Sequence, residues 1–377
     1  TSCVLASPDT ATDEAYQRVE AVVAHEYFHN WSGNRVTCRD WFQLSLKEGF
    51  TVFRDAEFSS DMNSRSVKRI EDVGFLRSIQ FAEDAGPLAH PVRPSSYMEI
   101  SNFYTTTIYE KGAEVVRMYH TLLGADAFRQ GTDLYFERHD GTAATTDDFA
   151  QAMADAGNVD LSQFKRWYEQ PGTPNVSVSE SYADGTLTLK IEQSPATLPN
   201  QEHQQPFHMP LAMGLIGADG NSVVLQPKDV SSNGAVALRD AGETVLLEAK
   251  ECEHKLRIDK LSAKPVVSFL REFSAPVKVS HERNADDLAF LVAHDSDGFV
   301  RWDAMQTRWM EHFDTNVNAT VDPVTTLGGL AKGALTLETP EQQMLAATML
   351  AVPNENYLFE QLRGFDVDAL LDARDAA

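Results

Sequence analysis

Residues 22–58 read VVAHEYFHNWSGNRVTCRDWFQLSLKEGFTVFRDAEF, and this stretch is the most informative part of the sequence. It contains an H-E-x-x-H motif, His25 to His29, within a segment whose apolar residues recur at helical intervals. On a helix, positions i and i+4 share one face, so the two imidazoles suit two corners of a tetrahedral zinc. Glu26 lies close to the same helical face and is predicted to reach a metal-bound water. Because the motif also occurs by chance in helices that bind nothing, a third ligand is needed.

Glu48 is the candidate third ligand. It follows in a second predicted helix at about 45–60, which would pack on the first and point Glu48 at the metal. Two histidines and one glutamate leave a fourth position for water, which is the arrangement of catalytic zinc. Zinc lowers the pKa of that water, and Glu26 would take its proton as it attacks a peptide carbonyl. The alternative is that Glu48 is an ordinary charge on a helix surface.

Asp55 is the candidate partner for one of the ligating imidazoles. The second nitrogen of a ligating histidine needs an acceptor that fixes the orientation of the ring. Asp55 lies seven residues after Glu48, on the same helical face. The alternative, a surface carboxylate, stays open at this point.

Hydrophobic periodicity predicts a mainly helical first portion, residues 1–172. Thr10 and Asp13 have capping-box spacing before the first segment, and residues 84–107 form a long loop with several prolines. The predicted helices lie at about 12–30, 45–60, 65–83, 108–123, 125–138, 146–156 and 160–170.

The hydrophobic pattern changes at residues 170–174, Gln-Pro-Gly-Thr-Pro, a sequence that strongly favours a turn. Beyond it, short alternating runs predict a small β-sandwich at 173–274, and helices return from about Asp286 in a last portion, 275–377. The expected fold class is therefore multidomain α+β. The predicted strands are 176–179, 186–191, 209–216, 222–225 and 244–247.

Composition excludes several classes of partner. The formal net charge of −24 repels nucleic acid and anionic membranes, and no apolar run is long enough to span a bilayer. The 3 cysteines form no CxxC pair, which favours a reducing compartment and hence a cytoplasmic location.

The stretch at 22–58 resembles the bacterial aminopeptidase N (alanyl aminopeptidase) family of gluzincin zinc metallopeptidases. The similarity spans most of the chain and is weaker at its last motif. The further motifs are QFAEDA at 80–85, HPVRP at 90–94, NFY at 102–104, YEKGAEV at 109–115, YFERHDG at 135–141 and FSAPVK at 273–278.

The resemblance implies a zinc aminopeptidase that removes N-terminal residues from peptides, with one zinc ion per chain and a thermolysin-like catalytic domain. His25, His29 and Glu48 match the ligands and Glu26 matches the general base. Tyr109 matches the tyrosine that steadies the tetrahedral oxyanion, although it could be a core aromatic. Tyr104 matches a residue of the first-residue pocket, although it could simply anchor a loop.

Parts of the family pattern are not found here. A Gly-x-Met-Glu-Asn segment, which binds the substrate amine, would lie upstream of the zinc helix, and only 24 residues precede His25. Ser101 stands where the family usually has asparagine. We therefore expect an internal fragment without its N-terminal domain. The alternatives to an aminopeptidase are a catalytically incomplete zinc-binding fragment and an endopeptidase-like hydrolase.

Overall fold

The computed structural model describes residues 6–196, 198, 204–314, 323–334, 337–362 and 366–376. A mainly helical part comes first, a β-sandwich follows, and a second helical part completes the described chain. The predicted fold class, multidomain α+β, is confirmed.

The first part is built from helices that pack around a central helix, α2 (Leu44–Met62). Two very short strands, β1 (Thr37–Cys38) and β2 (Ala143–Ala144), pair in parallel beside them. The helices are α1 (Asp13–Phe28), α2 (Leu44–Met62), α3 (Arg65–Phe75), α4 (Phe81–Ala85), α5 (Gly112–Leu123), α6 (Ala125–His139), α7 (Thr146–Gly157) and α8 (Arg166–Glu169).

Helices α1 and α2 differ sharply in burial. Twelve of the 19 residues of α2 are buried, including the polar residues Glu48, Thr51 and Asp55. In α1, which packs against α2, Ala24 is the one buried residue. Because packing density limits side-chain motion in protein interiors, groups on α2 are held more firmly than those on α1.

The sandwich consists of two sheets within the described residues. One has the order β10-β5-β8-β7 and the other the order β11-β3-β4-β9-β6. Alternate residues of β3, β4 and β9 are buried, as expected for strands with one face on the core. The strands are β3 (Asn175–Ala183), β4 (Thr186–Ser194), β5 (Met209–Ile216), β6 (Val230–Ser232), β7 (Ala235–Arg239), β8 (Thr244–Ala249), β9 (Glu253–Ile258), β10 (Val266–Phe269) and β11 (Lys278–His281).

One strand prediction is wrong, and one sheet extends beyond the predicted end of the β-sandwich. Residues 222–225 form no strand; Ser222 makes a single bridge to Ile216, because the chain turns through Asp219-Gly220 immediately before it. The sandwich sheet also continues past 274, since β11 pairs in parallel with β3 over four residues. The predicted boundary at 274 therefore falls before the last strand of that sheet.

Helix ends also differ from the predictions. Thr12, and not Thr10, caps α1, because its hydroxyl accepts a hydrogen bond from the Ala15 amide at 3.3 Å. The helix ends at Phe28, so His29 lies at its C-cap. The predicted helix at 160–170 is reduced to two short turns, Gln163–Lys165 and α8, directly before Pro171.

The last part begins with two helices that pack together, and no described helix is long and apolar enough to cross a membrane. Its helices are α9 (Ala285–His294), α10 (Gly298–Phe313), α11 (Pro323–Ala334), α12 (Pro340–Leu350), α13 (Glu355–Gln361) and α14 (Val367–Ala376).

His281, on β11, makes stability depend on pH. Burial, together with the charge of Arg283, lowers the pKa of this imidazole to about 3. The folded protein thus prefers neutral His281, and stability is lost as the pH falls from about 6.5 towards 3. Between pH 6.5 and pH 5 the free energy of unfolding should fall by up to about 2 kcal/mol from this group.

The measurement is urea unfolding of wild type and of His281→Gln at pH 7 and pH 5. Gln can still accept the hydrogen bond that Arg283 Nε donates to His281 Nδ1 at 3.1 Å. The variant should lose less stability on acidification, whereas His312→Gln, at an exposed position, should behave as wild type. Equal acid sensitivity of wild type and His281→Gln would contradict this account.

Candidate metal centre

Two histidines from the last turns of α1 meet one glutamate from α2. The Nε2 atoms of His25 and His29 lie 3.3 Å and 3.2 Å from Oε2 of Glu48. Ligand atoms about 2.0–2.1 Å from a tetrahedral zinc are separated by roughly 3.3 Å, so this spacing fits such an ion. Among the described residues, this is the group of His, Cys, Asp and Glu side chains that could hold a metal.

The other ring nitrogens fix the orientation of both imidazoles. His25 Nδ1 donates to Oδ2 of Asp55 at 2.7 Å, and His29 Nδ1 donates to the Ser32 carbonyl oxygen at 2.8 Å. In the neutral form that binds a metal, each acceptor holds the proton on Nδ1, which leaves Nε2 free to act as the ligand. The structure thus places Asp55 where the helical spacing predicted, while the acceptor for His29 is a backbone group.

Charge at the centre favours a cation. Burial alone would raise the pKa of the Glu48 carboxyl, but hydrogen bonds with His25, His29 and Lys47 hold it far below its usual value. Burial likewise opposes protonation of His25, yet Asp55 and Glu48 raise the pKa of its imidazole to about 9. Glu48 and Asp55 thus stabilise positive charge at His25, and a bound metal ion would take the place of the imidazole proton that lies between His25 and Glu48.

Glu26 and Tyr109 lie beside the candidate metal centre. Together with His25 and Glu110 they line an open pocket of about 390 Å³, and Glu26 is exposed. Burial and the neighbouring Glu48 raise the pKa of the half-buried Tyr109 phenol. Its ring lies 6.4 Å from that of Tyr104, which is 55% exposed. His25, Glu26, Asp55 and Tyr109 thus line one pocket, beside which His29 and Glu48 meet His25. Tyr104 is placed near them by its ring contact with Tyr109.

Tyr109 is carried by a π-helical turn, Thr107–Lys111, directly before α5. Such turns widen a helix by one residue and occur often at functional sites. The Ser45 hydroxyl, from α2, donates to the Ile108 carbonyl oxygen at 2.9 Å and so ties the turn to the helix that carries Glu48.

Two glycines allow α2 and α5 to approach closely at this point. A Cβ atom at Gly49 would lie 2.7 Å from the backbone of Gly112, and one at Gly112 would lie 2.1 Å from Ser45 Oγ. The Gly49 position needs a residue without Cβ, because the close contact is with backbone. At Gly112 the close contact is with the Ser45 hydroxyl, which would have to move to make room for a Cβ atom. The sequence analysis missed these glycines, although both stand next to motif residues, in KEG and EKG.

Gly112→Ala is therefore expected to lower the free energy of unfolding by about 1–3 kcal/mol through overpacking. Gly74→Ala is the matched control, because nothing lies within 4 Å of its Cβ position on α3. That change should stabilise the helix by about 0.5–1 kcal/mol. Chemical denaturation measures both, and the double variant Gly112→Ala/Ser45→Ala should recover part of the loss if the clash is the cause.

Sequence reasoning missed further groups around the centre. The Ser32 carbonyl could not be identified because any residue supplies one. Glu110, which follows Tyr109 directly, could be named from the sequence as a possible contributor, but nothing in the spacing demands it. Burial, then Asp72 and Asp55, raise the pKa of its carboxyl to about 8.

Comparison with known proteins assigns all three parts of the chain. The family model described as peptidase family M1 domain matches residues 1–168. Residues 1–168 are therefore similar to this peptidase domain, and we refer to them as the M1 domain. After the M1 domain, residues 172–282 match a domain of unknown function (DUF3458) with an Ig-like fold, and residues 285–377 match its companion described as ARM repeats.

Relatives of this chain support the predicted resemblance. It is 47% identical to aminopeptidase N of Escherichia coli (strain K12) and 48% identical to aminopeptidase N of Caulobacter vibrioides, in each case over 99% of the chain. The chain spans about 42% of the length of these relatives. The resemblance to bacterial aminopeptidase N is thus confirmed.

A solved structure has the same arrangement. Aminopeptidase A of Legionella pneumophila, crystallised in complex with aspartic acid, superposes with a TM-score of 0.81 at 28% identity. The match covers 99% of this chain and 40% of the Legionella chain. The order of helical, sandwich and helical parts is therefore shared with a known aminopeptidase.

Proposed function

We propose that this protein is a zinc-dependent aminopeptidase, which releases N-terminal amino acids from peptides by hydrolysis. One zinc ion per chain would be held by His25, His29 and Glu48. The observation that carries the proposal is the convergence of these three donors beside Glu26 and Tyr109. The M1 domain and the aminopeptidase N relatives support the same reaction class.

The donor set fits zinc better than a hard cation. Two imidazole nitrogens and one carboxylate oxygen are ligands of catalytic zinc, whereas calcium and magnesium prefer oxygen ligands alone. When bound, zinc would supply a Lewis acid that lowers the pKa of water and polarises a carbonyl oxygen.

The chain's own residues would perform the remaining steps. Glu26 would accept a proton from the attacking water and later deliver it to the leaving amine. Tyr109, whose pKa is raised so that it stays protonated, would donate a hydrogen bond to the oxyanion that develops in the transition state. Tyr104, whose ring lies 6.4 Å from that of Tyr109, would contact the substrate's first residue.

Peptides are the proposed substrates, and we expect neither nucleic acid nor a membrane as a partner. The relatives are more than twice as long, so a further N-terminal domain of the same protein is the proposed structural partner. A cytoplasmic location stays a prediction from cysteine usage.

A second candidate, an incomplete zinc-binding unit, is favoured by one observation. Glu26 is exposed, and next to it Tyr27 and Val23 on α1 are 60% and 55% exposed. Such an open site would position substrate poorly, because orientation contributes much of the rate of enzymatic reactions. An open cleft could also accept internal peptide bonds, which is the endopeptidase alternative.

The test combines zinc content with hydrolysis of alanyl and leucyl chromogenic amides. An aminopeptidase should contain one zinc per chain, lose activity with a chelator and regain it with added zinc. Peptides with free and blocked amino termini separate the alternatives, since an aminopeptidase cleaves the free form alone. Zinc binding without any hydrolysis would instead support the incomplete unit.

A further inference from the structure

Three residues on one face of α2 lie at or beside the metal centre. Glu48, Thr51 and Asp55 follow one another at spacings of three and four residues, so they share a face of the helix. Glu48 meets both imidazoles, and Asp55 accepts from His25. Thr51, between them, faces the turn that carries His29.

Thr51 is fully buried and contacts that turn through its hydroxyl. Its Oγ1 lies 2.8 Å from Ser32 Oγ and 3.4 Å from the Ser32 carbonyl oxygen. The same atom is 3.4 Å from Nδ1 of His29. Ser32 is 2% exposed and Thr51 is 0% exposed, so water does not compete for these groups.

The direction of the hydrogen bonds follows from the chemistry of the acceptors. The Phe28 carbonyl oxygen, 3.2 Å from Ser32 Oγ, can only accept, so the Ser32 hydroxyl donates to it. The Thr51 hydroxyl then donates to Ser32 Oγ. The Ser32 carbonyl remains available to the Nδ1–H of His29, and the turn that presents this carbonyl is tied to α2.

Other helical threonines use their hydroxyls differently. Those of Thr121, Thr307 and Thr348 each bond the carbonyl four residues earlier in their own helix. A threonine in a helix commonly does this. Thr51 instead directs its hydroxyl across to Ser32, beside a proposed metal ligand.

We propose that Thr51 is a positioning residue for His29, acting through the Ser32 turn to hold the imidazole in the orientation that binds metal. The inference rests on the proposed zinc site and deepens it. Loss of an outer partner of a ligating histidine typically weakens metal binding by about 10–100-fold. Thr51→Val, which keeps the shape and removes the hydroxyl, should therefore weaken zinc binding at least about tenfold.

The experiment measures the zinc dissociation constant of the full chain by competition with a chromophoric chelator, and the visible absorption spectrum of the cobalt-substituted protein. Thr51→Val should weaken zinc binding and change the cobalt spectrum, which reports the ligand geometry. Thr51→Ser, which retains the hydroxyl, should restore both towards wild type. Thr132→Val is the matched control, since its buried hydroxyl bonds the Arg129 carbonyl at 2.8 Å on α6.

The possible results are distinguishable. Unchanged zinc affinity and an unchanged cobalt spectrum in Thr51→Val would overturn the inference. Equal weakening by Thr51→Ser or by Thr132→Val would do so too, because packing and not the hydroxyl would then be responsible. Absence of zinc binding in wild type would instead refute the proposed function itself. Amide hydrolysis is not needed for any of these readouts.

Discussion

Replacing Glu26 by glutamine is expected to lower kcat for peptide hydrolysis by about 10²–10⁴-fold while zinc stays bound. The factor is the usual contribution of a positioned general base. Glutamine has nearly the same shape as glutamate, but its amide cannot accept the proton of the attacking water. Glu26 makes none of the contacts that hold the three metal ligands, so zinc content should not change.

The measurement is kcat and KM on an alanyl chromogenic amide, with zinc content determined on the same samples. Glu14→Gln is the matched control, because Glu14 lies in the first turn of the same helix, away from the metal ligands. It should leave kcat unchanged. Full activity of a zinc-loaded Glu26→Gln enzyme would refute the proposed mechanism, since no other group is assigned the proton.

The largest expected effect on stability concerns a buried ion pair. Lys111 and Asp84 are both 1% exposed, and their Nζ and Oδ2 atoms are 2.8 Å apart. Lys111 also donates to the Gly172 carbonyl, and the Thr173 hydroxyl donates to Asp84, so the pair joins the M1 domain to the start of the sandwich. Asp84→Ala should lower the free energy of unfolding by about 3–5 kcal/mol, because it leaves a buried, unpaired ammonium.

Urea unfolding of two further variants tests the cause. In Asp84→Ala/Lys111→Met no charge remains buried, so much of the loss should be recovered. Asp133→Ala removes one member of an exposed pair with Arg129, and this should cost less than about 1 kcal/mol. The account fails if Asp84→Ala costs no more than Asp133→Ala, or if the double variant is as unstable as the single one.

Much of the fold could be predicted from periodicity. The helices predicted at 12–30 and 45–60 are observed at Asp13–Phe28 and Leu44–Met62, since each has a regular apolar pattern. Strand β9, Glu253–Ile258, was missed although every second residue is buried. Strand β11 was harder to predict, because its parallel pairing with β3 depends on a partner about a hundred residues away.

The residues of the candidate centre could be predicted from the sequence. The i, i+4 spacing brings His25 and His29 to one helical face, and the seven-residue spacing from Glu48 made Asp55 a candidate. These relations hold within single helices, where 3.6 residues per turn fixes which side chains are neighbours.

How the helices meet could not be predicted from the sequence, because it depends on tertiary packing. The Ser32 carbonyl became the partner of His29 because the chain turns directly after α1, and Thr51 became its support because α2 packs on that turn. Gly49 and Gly112 set how closely α2 approaches α5. Helical periodicity specifies the face that each helix presents, whereas distances between faces depend on packing among residues far apart in the chain.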